Sequence, residues 1–529
     1  MKTTRSIPFI LFMLILLSVT TGMRPLAPEV PLGMTINATT TTDEYDTTPN
    51  GTCSLREAVQ SANNNADFGG CDGSGSFYGH DTIYLGTGTY LVNRGSGPSI
   101  SEDANVYGDL DISPSPGGLT FNIYDVTIIG EGSGNTILDA NNIDRVIDIQ
   151  ANAYVKLVGV KIYRGHPSIY DGKQNNGGGI YNHGTLRIED CLIFNNWGQS
   201  NDQSGTPHIG DGGGVWSDGI LTIVNSVLTT NRASVAYNDE NGGDGGGIYI
   251  AAGSGTVLIS NSTLTTNSAG GITEPGTGTG GRGGGIFNAG DDTRVENTTL
   301  DLNFAGQATS PTGNGGNGGG IYNYQGTITI TNSTLYNNRA GYSDHASGGS
   351  GGGLVNNGGL VELHESTLVN NMTGTGVTNG SGGGIESTAA NTTTRLHNTL
   401  LAWNANPGPP DEEQIKDCHT SGAGTNIFEA RYSLIHDLTG CVLNVSESML
   451  LEVNPGTGEM GYHGGITMTV PLMPGSLAID AGDPADCPAT DQRGKWRPVD
   501  GNNDGTATCD IGSYEVQLLR FLPLIIKSP

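Results

Sequence analysis

The chain has little of what builds an ordinary globular core. Only 6% of its 529 residues are aromatic and 35% are hydrophobic, against 86 glycines, which excludes conventional packing of bulky side chains as the main source of stability. The apolar residues still recur in short alternating runs, which a disordered chain would not keep. A core is therefore expected, long and thin. Basic residues are scarce: Lys and Arg total 23 against 52 Asp and Glu, for a net charge of −29. With no basic run, nucleic acid and anionic membrane surfaces are poor partners, and cations are better ones. The same charge also serves simply to keep an exported surface soluble. No CxxC or His/Cys spacing marks a zinc site.

Long apolar runs are missing too. Ile7 to Val19, preceded by Lys2 and Arg5, is too short to span a bilayer and has the form of a secretory signal peptide over residues 1–30. No cysteine follows it closely, so nothing points to a lipid-modified N-terminus. The end, "VQLLRFLPLIIKSP", is short, interrupted by Pro523 and without an LPxTG sortase signal. No transmembrane segment is expected in the mature chain, which is placed outside the cell or on its surface. Seven cysteines in an exported chain suggest disulfides. Six of them allow 15 connectivities; sequential pairing, Cys53–Cys71, Cys418–Cys441 and Cys487–Cys509, is the expectation, leaving Cys191 inside the repeats.

What the chain does have is a repeat. Gly-Gly-Gly followed by a branched apolar residue starts at Gly177, Gly212, Gly245, Gly283, Gly318, Gly351 and Gly382, 31 to 38 residues apart. A second motif keeps the same phase: "DCLIFNN" at Asp190, "NSVLTTN" at Asn225, "NSTLTTN" at Asn261, "NTTLDLN" at Asn297, "NSTLYNN" at Asn332, "ESTLVNN" at Glu365 and "NTLLAWN" at Asn398. Alternating segments such as "GTLRIED" and "GTITITN" read as strands between them. Each repeat is then about three short strands, with a Gly/Ser/Asn-rich loop before the next triple glycine.

One such repeat cannot bury its apolar face alone, but stacked coils bury Ile180, Val215, Ile248, Ile286, Ile321, Leu354 and Ile385 in a continuous column. The fold class is all-β, a right-handed parallel β-helix over residues 80–440. Seven repeats at the strand spacing make a rod roughly 34 Å long. Asn196, Asn231, Asn267, Asn303, Asn338, Asn371 and Asn404 are expected to stack as an amide ladder at a turn where left-handed backbone is tolerated. A regularly spaced ligand-binding face is the alternative for them.

Ahead of the rod, "CSLREAVQSANN" carries a capping box, Ser54-x-x-Glu57, so a helix starts there. Leu55, Ala58, Val59 and Ala62 recur on one face. That helix is expected to plug the first coil, with Leu55 inward and Arg56 solvent-facing.

These residues carry a resemblance. "TINATTTTDEYDTTPNG" with "CSLREAVQSANN" resembles the CSLREA domain that precedes β-helix repeats. "PLMPGSLAIDAGDPADCPATDQRGKWRPVDG" with "CDIGSYE" is similar to the choice-of-anchor Q domain of bacterial surface proteins, and the repeats resemble the pectin-lyase-like superfamily. The resemblance implies an N-terminal cap over 31–79, a small β-rich C-terminal module over 441–515, a tail over 516–529, and a secreted or surface-displayed protein. Within that superfamily fold is shared and activity is not.

Polysaccharide cleavage on a β-helix needs converging carboxylates or a base facing them. His183, Arg187, Glu189, Asp291, Asp292, Arg395 and His397 are scattered over different repeats, so no catalysis is expected. "DGNNDG" offers Asp500, Asn502 and Asp504 at alternate positions, as in the first half of a calcium loop, with Asp510 standing in for the missing twelfth-position Glu. An Asx-rich turn is the simpler reading. Calcium is thus the one cofactor entertained. The functional expectation is adhesion or glycan binding through the loops between the asparagine ladder and the triple glycines, with an extracellular glycan or surface protein as partner. A carbohydrate-active enzyme and a structural envelope protein are the alternatives. Trp197, Trp216 and Trp403 in one exposed groove would favour binding or catalysis; buried in turns, they would favour the structural reading. The oligomeric state is open.

Overall fold

The computed structural model describes residues 32–75, 80–95, 104–114, 125–167, 175–198, 209–237, 240–273, 277–407, 414–422 and 426–517. The expected leader (1–30) and the last twelve residues of the tail lie outside them. One coil runs through the strands Ile180–Asn182, Thr185–Glu189 and Leu192–Phe194. Each strand pairs in parallel with its counterpart a repeat later: Ile180 with Val215, Leu186 with Leu221, Ile193 with Leu228. The first two strands of every coil build one broad sheet and the third builds a 12-stranded sheet. The stacked branched residues from Ile180 to Ile385 are wholly buried. This is a parallel β-helix, and it reaches past residue 440: Asn444–Glu447 and Leu450–Leu451 still pair with the preceding coil.

Two turns per coil need left-handed backbone. Asp190, Asn225, Asn261, Asn297, Asn332, Glu365 and Asn398 hold φ between 43° and 54°, the region in which Asn and Asp are least strained. The second set is Asn195, Thr230, Thr266, Leu302, Asn337, Asn370 and Trp403. The left-handed residue therefore precedes the ladder asparagine, one position earlier than the sequence suggests. The ladder itself is continuous. Asn196 Nδ2 donates to Asn231 Oδ1 (3.0 Å), and the same bond repeats through Asn267, Asn303, Asn338, Asn371 and Asn404 to end on Asp417. All seven asparagines are buried, so the amides serve the fold rather than a ligand.

In each triple glycine the first residue has φ between 62° and 70°. The third needs smallness instead: a Cβ on Gly179 would sit 2.6 Å from the Gly214 carbonyl oxygen and 3.0 Å from Asn196 Cγ. The Gly/Ser/Asn-rich segments are not open loops. Gly270 donates to Gly243, Gly281 to Gly270, Gly306 to Gly281, Gly316 to Gly306, Gly341 to Gly316, Gly349 to Gly341 and Gly374 to Gly349, each at 2.7–2.8 Å. Two arms of the loop thus zip together along the rod axis. A Cβ on Gly306 would fall 1.9 Å from the Gly270 oxygen, so only glycine permits this spacing.

At the N-terminal end, Leu55–Asn64 is the expected helix, with both halves of the Ser54/Glu57 capping box formed. Leu55, Ala58, Val59 and Ala62 join the apolar cluster that runs down the rod. Arg56 departs from expectation. It is 1% exposed, grips Asp43 with two bonds of 2.7 and 3.0 Å, and donates to the carbonyls of Gly108 and Asp109. Its partners are remote in sequence, and a buried guanidinium demands them.

The C-terminal residues 453–517 carry isolated antiparallel bridges rather than continuous strands. They lie along the flank of the 12-stranded sheet. Thr299 Oγ1 donates to the Met468 carbonyl, Thr334 Oγ1 to Gln492 Oε1, and the Ser513 amide to Thr367 Oγ1. Leu472, Ala478, Ile479 and Ile511 pack on Val369, Leu400, Ala402 and Leu434. The three sequential disulfides are formed. Cys191 is a buried free thiol whose pKa burial pushes up to about 12, so it is chemically quiet.

Candidate functional site

Stacking turns every outward position of the repeat into a column, and two columns combine aromatic rings with arginine. The first follows the short strand after the triple glycines: Tyr181, Trp216, Tyr249, Phe287 and Tyr322 pair in register. Their rings stack at 4.6 to 6.2 Å between centroids. Arg145 lies over Tyr181, and Arg282 over Phe287 and Tyr322. Both cations are matched, Arg145 by Asp109 and Asp148, Arg282 by Asp244. The stack is closed, with Trp216 7% and Phe287 2% exposed.

Beside it runs a polar column formed by the residue before each triple glycine. Asn176 accepts from the Asp211 amide, Asp211 from the Asp244 amide, and Asp244 from the Arg282 amide, at 2.6–2.8 Å. Burial first, then the charge of Asp244, raises the Asp211 carboxyl to about 8. Burial also raises Asp244, against the pull of Arg282. Sequence reading missed this column because Asn, Asp, Arg and Ser alternate in it; its fixed place before the triple glycine was the available signal.

The second column follows the asparagine ladder by one residue. Trp197, Arg232, Ser268, Phe304, Arg339 and Met372 bridge in parallel from coil to coil. Here Trp197 is 48% exposed, Arg232 and Arg339 are exposed, and Ser268, Phe304 and Met372 are half-buried. Among the described residues, no ion pair involves Arg232 or Arg339, whereas Arg187, Arg294 and Arg395 on other outward faces each meet a carboxylate. Partial desolvation lowers the Arg232 pKa, with Tyr237 opposing it. Against this column opens a cavity of about 240 Å³, lined by Phe304, Gln307, Arg339, Tyr342, Met372 and Thr375 among others. Ring faces, an uncompensated cation and hydroxyl groups thus share one trough, the mixture that recognises a sugar chain. It lies in the segment between ladder and triple glycine; none of its lining residues was singled out from sequence, and Trp197, the one residue of the column that was, lies three coils from Phe304 and outside the lining.

The residues singled out from sequence do not converge. His183 Nδ1 meets Asp218 at 2.8 Å beside Tyr181 and Trp216. Lys156 and, less strongly, Arg187 share Glu189 and lower its pKa. Asp292 pairs with Arg294, and Arg395 bridges Glu362 and Glu429. Asp291 is an exposed turn residue. His397, lowered first by burial, contacts Asp483 at 3.1 Å and ties the C-terminal residues to the rod. The tryptophans are divided: Trp197 on the exposed column, Trp216 in the closed stack, Trp403 half-buried against His436 with Nε1 toward Thr457.

The "DGNNDG" loop folds on its own amides. Asp500 accepts from the Asp504 and Gly505 amides, Asn502 from Asp504, and Asp504 from Thr506. Asp510 does not join them. It is buried, accepts from the Asp480 and Val516 amides, and burial plus the Glu515 charge raise it to about 8. The four proposed calcium ligands are therefore not assembled as one set, and among the described residues no group of three His, Cys, Asp or Glu is arranged for a metal.

Among the described residues, no helix is long and apolar enough to cross a membrane. No family profile and no curated protein matches the chain, so the likeness to CSLREA and choice-of-anchor Q modules stands on the residues quoted. Among solved structures the chain is similar to a crystal structure of pectate lyase Pel9A, with a TM-score of 0.35 and 13% identity over 83% of this chain and 88% of that one. That likeness assigns no residue here a role.

Proposed function

We propose that this is an extracellular β-helix that holds an extended glycan on the Trp197–Met372 face without chemical turnover. Three disulfides favour an oxidising compartment. The observation that carries the reading is the single-register column with its adjoining trough, where Trp197, Arg232 and Arg339 stand exposed beside the half-buried Phe304 and Met372. An extended polymer suits a rod because each added coil repeats the same contact geometry. A glycan array probed with the mature chain tests it. Extended glycans should bind, and the Trp197→Ala/Phe304→Ala double variant should bind at least tenfold more weakly at unchanged melting temperature. Wild-type binding to nothing on the array would leave a structural envelope role instead.

A catalytic reading has one observation in its favour. Asp211, raised to about 8 by burial and by the neighbouring charge of Asp244, forms with the ion-paired Asp244 a pair of buried carboxyls in unlike environments, the arrangement from which acid–base chemistry starts. Release of reducing ends from a polysaccharide, abolished by Asp211→Asn, would replace the binding reading with this one. No release is expected, since both carboxylates hold backbone amides of the next coil.

A further inference from the structure

Arg232 and Arg339 stand three coils apart in the exposed column, at positions one step beyond Trp197 and Phe304. The column thus repeats an aromatic–arginine pair, with Ser268 as the small residue between them. Three strand spacings make the period roughly 14 Å, the length of a short run of pyranose rings. In the closed column the arginines that lie over the rings meet carboxylates, Arg145 with Asp109 and Arg282 with Asp244. Here, among the described residues, neither arginine meets a carboxylate. In a chain of net charge −29, exposed arginines that meet no acid among the described residues are conspicuous, because Asp and Glu outnumber Lys and Arg by 52 to 23. A guanidinium offers five donors in a rigid fork suited to a carboxylate or sulfate.

We propose that the ligand of this face is a linear glycan carrying acidic groups at intervals, with Arg232 and Arg339 each taking one carboxylate or sulfate and Trp197 and Phe304 stacking on the ring faces between. This rests on the glycan reading above and names its chemical class. The surrounding negative charge sets the spacing. Beyond a Debye length of about 8–10 Å an acidic surface is screened, but a polymer charged at every unit lies within that distance of it and is repelled. Sparse acidic groups aligned with the two arginines are not. The same argument disfavours single-stranded nucleic acid, which stacks on aromatic rings but needs a basic groove along its whole backbone.

The test uses the mature chain and four immobilised probes: hyaluronate oligosaccharides (a carboxylate on alternate rings), keratan sulfate oligosaccharides (sulfate), a neutral mixed-linkage β-glucan, and oligo-dT. The variants are Arg232→Gln/Arg339→Gln and Trp197→Ala/Phe304→Ala. Hyaluronate or keratan sulfate should bind at least tenfold more tightly than the neutral glucan, and whichever is tighter identifies the acidic group. The arginine variant should lose that preference while retaining the weak neutral binding; the aromatic variant should lose both. Both variants should melt as the wild type does, since among the described residues neither arginine is in an ion pair. Equal binding of acidic and neutral glycans, or an unaltered preference in the arginine variant, overturns the acidic-glycan assignment and leaves the general glycan reading intact. Failure of all three glycans overturns both, and tighter binding of oligo-dT overturns the assignment in favour of a nucleic-acid ligand.

Discussion

The two aromatic columns both bring rings and arginines together and differ in their acids. Along Tyr181–Tyr322 the rings stack on one another, the arginines lie across them, and Asp109, Asp148 and Asp244 neutralise those arginines. Along Trp197–Met372 the rings are separated by other residues and the arginines are left without counter-charges among the described residues. A closed column spends its interactions on neighbouring coils; an open one keeps them for a ligand. Position in the repeat decides which arises. The closed column sits beside the polar column that precedes the triple glycines, which carries Asp211 and Asp244, whereas the open one borders the glycine zipper, whose own residues carry no side chain to cover it.

The largest expected difference is in stability. Phe287→Ala, removing a ring stacked on both sides, should cost about 3–5 kcal/mol, whereas Phe304→Ala should stay within about 0.5 kcal/mol. Arginine gives the same contrast at the N-terminal cap: Arg56→Ala leaves Asp43 buried and unpaired and should cost about 3–5 kcal/mol, while Arg232→Ala should be near neutral. Urea denaturation followed by tryptophan fluorescence and circular dichroism reads both, and equal effects within either pair would erase the distinction. Asn267→Ala, which breaks the ladder in mid-rod and strands the Asn303 and Leu228 partners, should cost about 1–3 kcal/mol.

Titration separates the columns next. Asp211 is raised to about 8 when folded from 3.8 when unfolded, so the folded chain holds the proton more tightly. Its stabilising contribution is complete below about pH 4 and is lost as the pH rises to about 8. Asp510 is raised likewise and Glu515 to about 7, so the melting temperature should fall from pH 5 to pH 8, less steeply in Asp211→Asn. Binding through the open column involves no such carboxyl and should not change over that range. The smallest effect concerns calcium. With Asp510 engaged elsewhere, millimolar Ca²⁺ should move the melting temperature by no more than about 1 °C. A larger rise abolished by Asp504→Ala would reinstate a calcium site in the "DGNNDG" loop.

Much of the fold was legible because the physics is periodic. The buried aliphatic column, the asparagine ladder and the capping box each leave a fixed residue type at a fixed phase. What was not legible varies in type at a fixed phase, or acts across unrelated segments. The columns before the triple glycine and after the ladder asparagine change chemistry from coil to coil, so they look like loop composition. The zipper of Gly243, Gly270, Gly281 and Gly306 reads as a flexible linker until both arms are seen together. Arg56 reads as a surface residue on an amphipathic helix because its acceptors at Gly108 and Asp109 lie more than fifty positions away. The docking of residues 453–517 hinges on Thr299, Thr334 and Thr367, which in sequence resemble any exposed strand threonine.

Hydroxyl-radical footprinting with and without saturating hyaluronate oligosaccharides tests most directly which column meets the ligand. Trp197, Phe304, Tyr342 and Met372 should become protected together, while Tyr324 on the closed-column side and Trp496 on the C-terminal residues, both exposed, keep their oxidation rates. Protection of Tyr324 or Trp496 with Trp197 and Met372 unchanged would contradict the assignment of the open column as the binding face.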